Sequence, residues 1–510
     1  MKSAAAKTIW LLEDQLSISL VPPGREALLI ESNFAFRMLK YHRKRLTFLI
    51  SSMRHFRDEL IAAGRTVHYY PLQARGYRDS ISALRHFIKT TGQRQLRVVQ
   101  PSEYHTKTWI ESLGEKLNLQ IDFEPNELFL TDRIEFADWA RSVRSPLMET
   151  FYRRMRVKHR VLMTGGKPAG GTWNFDKQNR KSPPGELLIP AVPNYPPDSI
   201  THEVMDEING RFSDHPGSTD GFNYPVTRVD ARHALQDFLD HRLSGFGDYE
   251  DAMLTGQPVL YHSRLSSVLN NGLLEPLECI RAAEACFKKG TAPLNAVEGF
   301  IRQILGWREY MYGIYWTFMP EYRNRNARGD SLPLPGFFWS ADTEMNCLHR
   351  TIGSVVEHAY SHHIQRLMVI CNFATLVGFS PQAVNDWFLE LYVDSHDWVV
   401  TPNVIGMGLN ADGGTCATKP YVSSGAYINR MSDYCKSCKY NVTHRVGPDA
   451  CPYNYLYWTF LETNRKTLER NPRIGMVLKN LDRFDPAELK LMRQQRQALL
   501  TTLSIKGVAY

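Results

Sequence analysis

Four cysteines and a pair of adjacent histidines are the residues of this chain best suited to chemistry. Cys435 and Cys438 form a CxxC, Cys451 follows ahead of Pro452, and Cys347 stands far upstream in Met345-Asn346-Cys347. Four thiolates so spaced bind either zinc or an iron–sulfur cluster. A zinc ribbon offers two CxxC pairs, and Cys347 has no such mate. One remote ligand, a CxxC and a Cys-Pro suit a cubane cluster slightly better, and spacing alone leaves zinc open. Between them, His362-His363-Ile364-Gln365-Arg366 supplies imidazoles that titrate near neutral pH and can give and take protons. Together these groups point to a redox enzyme. Cys279, Cys286, Cys371 and Cys416 lie in apolar surroundings and read as small buried hydrophobes.

The elements that hold these groups belong to a chain of 510 residues, enough for two or three domains. Its 43% hydrophobic and 22% charged content is ordinary for a globular protein. A net charge of +8 and a pI near 8.9 fit an anionic partner such as nucleic acid. The best apolar run, residues 367–377, is too short for a membrane span and is interrupted by Asn372. Ile9 to Leu12 runs straight into Glu13-Asp14, which no signal peptide does. A cytoplasmic protein with reduced thiols is expected, its cysteines serving as ligands and core residues.

Residues 8–130 alternate short apolar runs with amphipathic stretches. Thr8–Leu12, Ala27–Ile30, Val67–Tyr70 and Leu96–Val99 read as strands, with helices over Arg43–Gly64 and Ser80–Thr91. That alternation predicts a parallel α/β sheet, with Asp14 and Gln15 at the end of its first strand, where such sheets bind ligands. Residues 136–230 read as a connector. It holds a basic helix with Arg153, Arg154 and Arg156, then glycine pairs, then a proline-rich stretch up to Pro197. The arginines suit a solvated helix face or DNA phosphates. From 231 onward apolar spacing near 3.6 predicts helices over Ala231–Leu243, Val297–Phe318, Val355–Leu376 and Pro381–Tyr392. The expected architecture is an α/β domain over 1–135, a connector over 136–230 and a large all-α domain over 231–510.

The run from Asn295 to Tyr310, ending in Trp307-Arg308-Glu309-Tyr310, resembles the flavin-domain signature of the photolyase/cryptochrome family. Ser263-Arg264-Leu265-Ser266 is similar to that family's Ser-x-Leu-Ser. Met345-Asn346-Cys347, His362 to Leu367, Pro402 to Met407 and Tyr427 to Cys435 resemble its bacterial iron–sulfur subgroup, the prokaryotic (6-4) photolyases and related cryptochromes. The resemblance runs from about residue 8 to the C-terminus. It implies light-driven repair of (6-4) photoproducts in UV-damaged DNA, by a monomer acting on the bacterial nucleoid. A flavin-binding light sensor without repair is the rival reading. An iron–sulfur nucleic-acid binder similar to the large primase subunit is a third.

The cofactors it implies are FAD, a 4Fe–4S cluster on Cys347, Cys435, Cys438 and Cys451, and a 6,7-dimethyl-8-ribityllumazine antenna near Asp14 and Gln15. FAD contacts fall on Ser263, Leu265, Ser266, Arg302, Arg366, Asp394 and Asn403. His363 is the implied proton donor, with His362 orienting it; a lone histidine would otherwise read as a core residue. Trp307, Tyr421, Tyr427, Asp176, Arg180, Arg153 and Arg154 are the implied lesion or DNA contacts. Leu367 stands where animal-type relatives carry a second histidine, and Met407 where other photolyases carry a flavin-proximal tryptophan. Photoreduction is therefore expected through Trp387 and Trp339, with Phe388 between them as packing. A Mg2+ ion near the lesion is a weaker implication, because Val400 occupies a position where a carboxylate would help.

Overall fold

The computed structural model describes residues 7–33, 35–72, 79–469, 471 and 474–505. Five parallel strands form one sheet: β1 (Thr8–Leu11), β2 (Glu26–Ile30), β3 (Val67–Tyr70), β4 (Gln95–Val99) and β5 (Gln120–Glu124), in the order β3-β2-β1-β4-β5. β1 and β2 are buried along their whole length, as a parallel sheet covered on both faces requires. Alternate residues face opposite cores. Ile9, Leu11, Ala27 and Leu29 join the main core, while Trp10, Leu12, Leu28 and Ile30 pack against Leu84, Phe87 and Ile110. The four expected strands agree within a residue. β5 was not among them; its Ile121 and Phe123 alternate with Gln120, Asp122 and Glu124 on a half-exposed edge.

The strand order reverses at β1, and Gln15 sits at that reversal. Its Nε2 donates to the carbonyls of Val99 (3.1 Å) and Gln100 (3.3 Å), and its Oε1 accepts the Leu12 N–H at 3.1 Å. The C-terminal ends of β1 and β4 are thereby bridged at the crevice where such sheets take ligands.

The connector crosses from the sheet to the helical region through the helices Met148–His159 and Ser199–Arg211. The latter is clamped to the sheet by charge. Arg54 makes a bidentate pair with Glu31 (2.8 and 3.0 Å) and a second with Glu207 (3.0 and 2.9 Å).

Beyond residue 228 the described chain is mostly helices joined by loops, and three of the helical stretches are locally widened. Residues 302–308, 365–371 and 402–408 are wound as π-helix, a local widening that gathers at functional sites. The helix expected over Val355–Leu376 is in fact two. Asn346–His358 ends at Ala359 in the left-handed region (φ 54°), Tyr360–His362 are irregular, and winding resumes at His363. The 3.6-residue apolar rhythm runs across the break because both parts and the link are buried.

Breaking the Arg54 clamp leaves two buried carboxylates uncompensated. Arg54→Ala is expected to destabilise the protein by about 3–5 kcal/mol, read as a lower thermal midpoint, with no comparable loss in Arg153→Ala, whose partner Glu149 is on the surface.

Candidate functional site

The irregular segment Tyr360–His362 is buried, so its backbone groups need partners from elsewhere. The His358 carbonyl accepts from Tyr224 Oη at 2.6 Å, and that of Ala359 from the Val393 N–H at 3.0 Å. Tyr360 O accepts from Ser354 Oγ (2.9 Å) and Ser361 O from Arg366 Nε (2.7 Å). The His362 N–H donates to Gln365 Oε1 at 3.0 Å. That last bond is half of a capping box, with His362 as cap and His363 as the first helical residue.

Arg366 thus links the histidine segment to Asp394, with a bidentate pair at 3.1 and 3.0 Å. Asp394 also accepts from Ser266 Oγ (2.6 Å), and its carbonyl accepts from Asn270 Nδ2 (2.9 Å). Although burial works against ionisation, Arg366 and these hydrogen bonds hold the Asp394 carboxyl below its ordinary value. Five of the expected cofactor residues therefore converge: the segment of Ser263, Leu265 and Ser266 meets Asp394 through Ser266, and Asp394 in turn holds Arg366. In the same segment Ser267 Oγ and Arg264 Nε are buried with no protein partner. Asn403 lies on the third π-turn, donating to Val399 O at 2.7 Å.

Arg302 is placed differently. It is 3% exposed, and its guanidinium is taken up by Glu298 (3.3 Å) and Asp176. It joins a charged network with Arg180, which reaches Asp176 (3.4 Å), Glu250 (3.1 Å) and Asp251 (3.8 Å), while Tyr427 Oη donates to Asp251 at 2.9 Å. Burial pushes the Glu250 carboxyl up to about 7. His363 faces this network. Its side chain is open to solvent but ringed by protein, and that enclosure, with Arg366 and Arg180, lowers its pKa to about 4. Beside it His262 and His362 stack at 4.4 Å with 17° between planes. Neither ring nitrogen of His362 finds a protein partner, nor does Nε2 of His262.

Trp307 is half-buried on the first π-turn, edge-on to Tyr310 at 6.1 Å, and Tyr421 lies under Lys419. Arg153 and Arg154 are exposed, paired to Glu149 (3.0 Å) and Glu135 (3.7 Å). They border a cavity of about 630 Å3 with Trp139 and Trp173. Arg156 corrects the sequence reading: it is fully buried and spends its guanidinium on the carbonyls of Val161, Leu162 and Trp173, out of reach of phosphate.

Cys347, Cys435, Cys438 and Cys451 line one small cavity. Cys347 opens the helix Asn346–His358 and Cys451 caps Pro452–Thr463, so two helix N-termini point positive ends at sulfur. Gly425 lies so close that a Cβ there would meet Cys451 Sγ at 2.8 Å. Burial raises Cys347 strongly, Cys435 to about 12 and Cys451 to about 11. Such thiols ionise when a metal replaces the proton.

Trp387 is buried, with Nε1 donating to Phe338 O at 2.9 Å; Trp339 is half-buried nearby in sequence to Phe338. Phe388 packs against Trp387 as expected (5.1 Å), but sequence reasoning missed Tyr392. Its ring stacks on Phe388 at 5.0 Å, lies 5.8 Å from Trp387 and carries the Arg366 guanidinium 4.1 Å above it. Glu250, Asp251 and His262 were missed as well; no motif marks them, and only the fold brings them to His363.

An open parallel sheet with a ligand crevice, joined to a helical domain with a charged, histidine-bearing site, defines the class that comparison with known proteins identifies. A family model described as deoxyribodipyrimidine photo-lyase-related protein matches residues 9–224. The (6-4) photolyase of Agrobacterium fabrum is 43% identical over 477 residues, covering 92% of this chain and 94% of that one. An uncharacterised protein of Acanthamoeba polyphaga mimivirus is 42% identical over 93 residues, 18% of this chain and 72% of that one. The crystal structure of a class III photolyase from Agrobacterium tumefaciens superposes with a TM-score of 0.52 at 17% identity, over 84% of this chain and 87% of that one. The chain belongs to the photolyase family.

The crevice carries a pH signature. Burial and like charge push Asp14 up to about 7 and Glu103 to about 8; Glu250 and Glu390 are also raised to about 7, mainly by burial. These groups keep protons in the folded state that the unfolded chain releases above its ordinary carboxyl range, so stability falls as pH rises. Buried histidines oppose this fall up to about pH 7.5, because they are neutral in the fold while the unfolded chain still protonates them in part. The thermal midpoint is therefore expected to drop between about pH 7.5 and 9, and Glu103→Gln to flatten that slope.

Proposed function

We propose that this chain repairs (6-4) pyrimidine–pyrimidone photoproducts in DNA under blue light. The observation that carries the reading is the gathering at His363 of two charged groups, the Arg366–Asp394 pair and the Arg180–Asp176–Asp251–Tyr427 network, in a chain closely related to a (6-4) photolyase over nearly its whole length. That relative also favours repair over a signalling role.

FAD fits the helical site. Ser263, Leu265 and Ser266 would hold it, with Arg366, Asp394 and Asn403 at its ring system, and the unpartnered Ser267 Oγ and Arg264 Nε are donors suited to its oxygens. When bound and reduced, it supplies light-driven electron donation. A cluster fits the cysteine cavity, with Cys347, Cys435, Cys438 and Cys451 as ligands and Gly425 making room. A lumazine antenna would lie at the sheet crevice, where the protonated carboxyls of Asp14 and Glu103 can both donate and accept. Gln15 frames that crevice, since its amide is already engaged.

The protein's own part is proton handling, orientation and charge. His363 is neutral near pH 7 while Arg366 and Arg180 dominate its surroundings. A DNA phosphate offsets those cations, so His363 takes up a proton as substrate binds and delivers it to the lesion once electron transfer has made the lesion an anion. Tyr427 and Arg180 orient the flipped lesion, which must leave the base stack to reach the site. Trp307 and Tyr421 offer apolar walls, and Arg153 and Arg154 reach flanking phosphates. Electrons for photoreduction would pass inward from Trp339 through Trp387 and Tyr392, with Phe388 as spacer.

Repair of an oligonucleotide bearing one (6-4) photoproduct, with reduced protein in light and darkness, tests the reading; light-independent or absent repair refutes it. His363→Ala is expected to cut repair by about 100-fold or more with FAD retained. Dark affinity of the wild type for the lesion is expected to weaken as pH rises from 6 to 8, by at most about tenfold per unit for one proton, and that dependence to vanish in His363→Ala. Tyr392→Phe should slow photoreduction severalfold while leaving repair by chemically reduced protein intact; an unchanged photoreduction rate excludes Tyr392 from the route.

A further inference from the structure

A hydrogen-bonded bridge joins the cysteine cavity to the histidine pair, and neither metal binding nor proton transfer requires it by itself. Tyr434, next in the chain to Cys435, is 1% exposed and accepts Gln365 Nε2 at its hydroxyl, 2.9 Å away. The other end of the same amide, Gln365 Oε1, accepts the His362 backbone N–H at 3.0 Å. Tyr434 is fixed from the cysteine side too. Asn346, adjacent to Cys347, donates Nδ2 to the Tyr434 carbonyl at 2.8 Å and to Ser437 Oγ at 3.1 Å. Neighbours of two of the four cysteines therefore hold one end of the bridge, and the backbone of the histidine pair forms the other.

The bridge acts where the histidine pair has least else to hold it. The His362 ring makes no hydrogen bond to protein, and its ring contact is the stack on His262. His363 opens the helix that Gln365 caps, so the direction of its Cα–Cβ bond follows from where that helix starts. A glutamine suits this place because one end must accept from an amide while the other donates to a phenol. Leucine fills the same space and does neither.

We propose that Gln365 and Tyr434 are positioning residues, through which the cysteine site sets the orientation of His363. The proposal rests on reading the four cysteines as cluster ligands and His363 as the proton donor. It gives the cysteine site a bearing on repair that needs no electron transfer from it: metal binding fixes the 3-10 turn Tyr434–Ser437, Tyr434 fixes Gln365, and Gln365 fixes the helix start.

The test compares Gln365→Leu, Gln365→Glu and Tyr434→Phe with the wild type, each as the full chain purified with its cofactors. Iron and flavin content are measured, then dark affinity for the (6-4) oligonucleotide between pH 6 and 8, then repair per absorbed photon. Iron and flavin are expected at wild-type levels. Gln365→Leu should lose about tenfold or more in repair, as misplaced reacting groups do, and should flatten the pH dependence of dark affinity. Gln365→Glu keeps the acceptor for the His362 N–H and should recover most of both. Tyr434→Phe, which removes one hydroxyl, should fall between. Wild-type repair and wild-type pH dependence in Gln365→Leu would overturn the proposal. So would losses in all three variants that track lost iron and flavin, since the residues would then serve folding alone. A wild type that binds the lesion without repairing it would count against the photolyase reading instead, and the dark pH dependence would still decide the bridge.

Discussion

The structure depends on a short stretch of buried backbone that is neither helix nor strand. Between His358 and His362 the chain has no ladder of its own, yet it lies in the core. Each buried amide or carbonyl left unpaired costs about 1–3 kcal/mol, against a total stability of about 5–15 kcal/mol. The segment is tenable only because groups from across the chain come to it. Tyr224 arrives from the connector, Val393 from the Asp394 loop and Gln365 from the following turn. The last carbonyls of the preceding helix are met by the start of the helix Arg43–Ala62: His42 reaches Val356 O at 2.9 Å and Lys44 reaches Glu357 O at 2.5 Å. The sheet domain, connector and helical region are tied together at the point where His363 is presented.

Charge is distributed around this segment with the same economy. Arg366 neutralises Asp394, covers Tyr392 and caps Ser361 O at once. Arg180 and Arg302 are balanced by Asp176, Glu250, Asp251 and Glu298. At His363 itself enclosure acts first, and the nearby Arg366 and Arg180 add to it, so the imidazole is held neutral near pH 7. On the repair reading, the phosphate that a bound substrate brings loads His363 with its proton, and undamaged duplex, which flips no base to the site, does not.

Much of the fold was legible because its signals are local. Four strands follow from apolar runs, and the sheet from their alternation with helices; β5 escaped because Gln120–Glu124 is an edge strand whose charged residues mask the period. The four cysteines, Arg366 and Asp394 were legible through motif, and the structure brings each set together. Arg153, Arg154 and Arg156 are indistinguishable as letters, yet one turn of helix separates two exposed side chains from one buried among carbonyls. The break at Ala359 was hidden because apolar periodicity reports burial, and a buried loop keeps the rhythm of a buried helix. Tyr392, Glu250 and His262 carry no signature at all; their roles come from neighbours far away in sequence.

On the cluster reading, the C-terminal third cannot settle without metal. Buried thiols at Cys347, Cys435 and Cys451 resist ionisation, and four thiolates crowded on one cavity would repel one another. Metal supplies the charge that makes them ligands, and its binding energy becomes folding energy for the segments that carry them. Those segments include the helix Asn346–His358, whose C-terminal end is the buried break itself. The cysteines and the histidines are then two ends of one helix-and-loop unit. A structural role for the metal and a catalytic role for the histidine are then linked, because the loop that presents His363 runs directly on from the helix that carries Cys347.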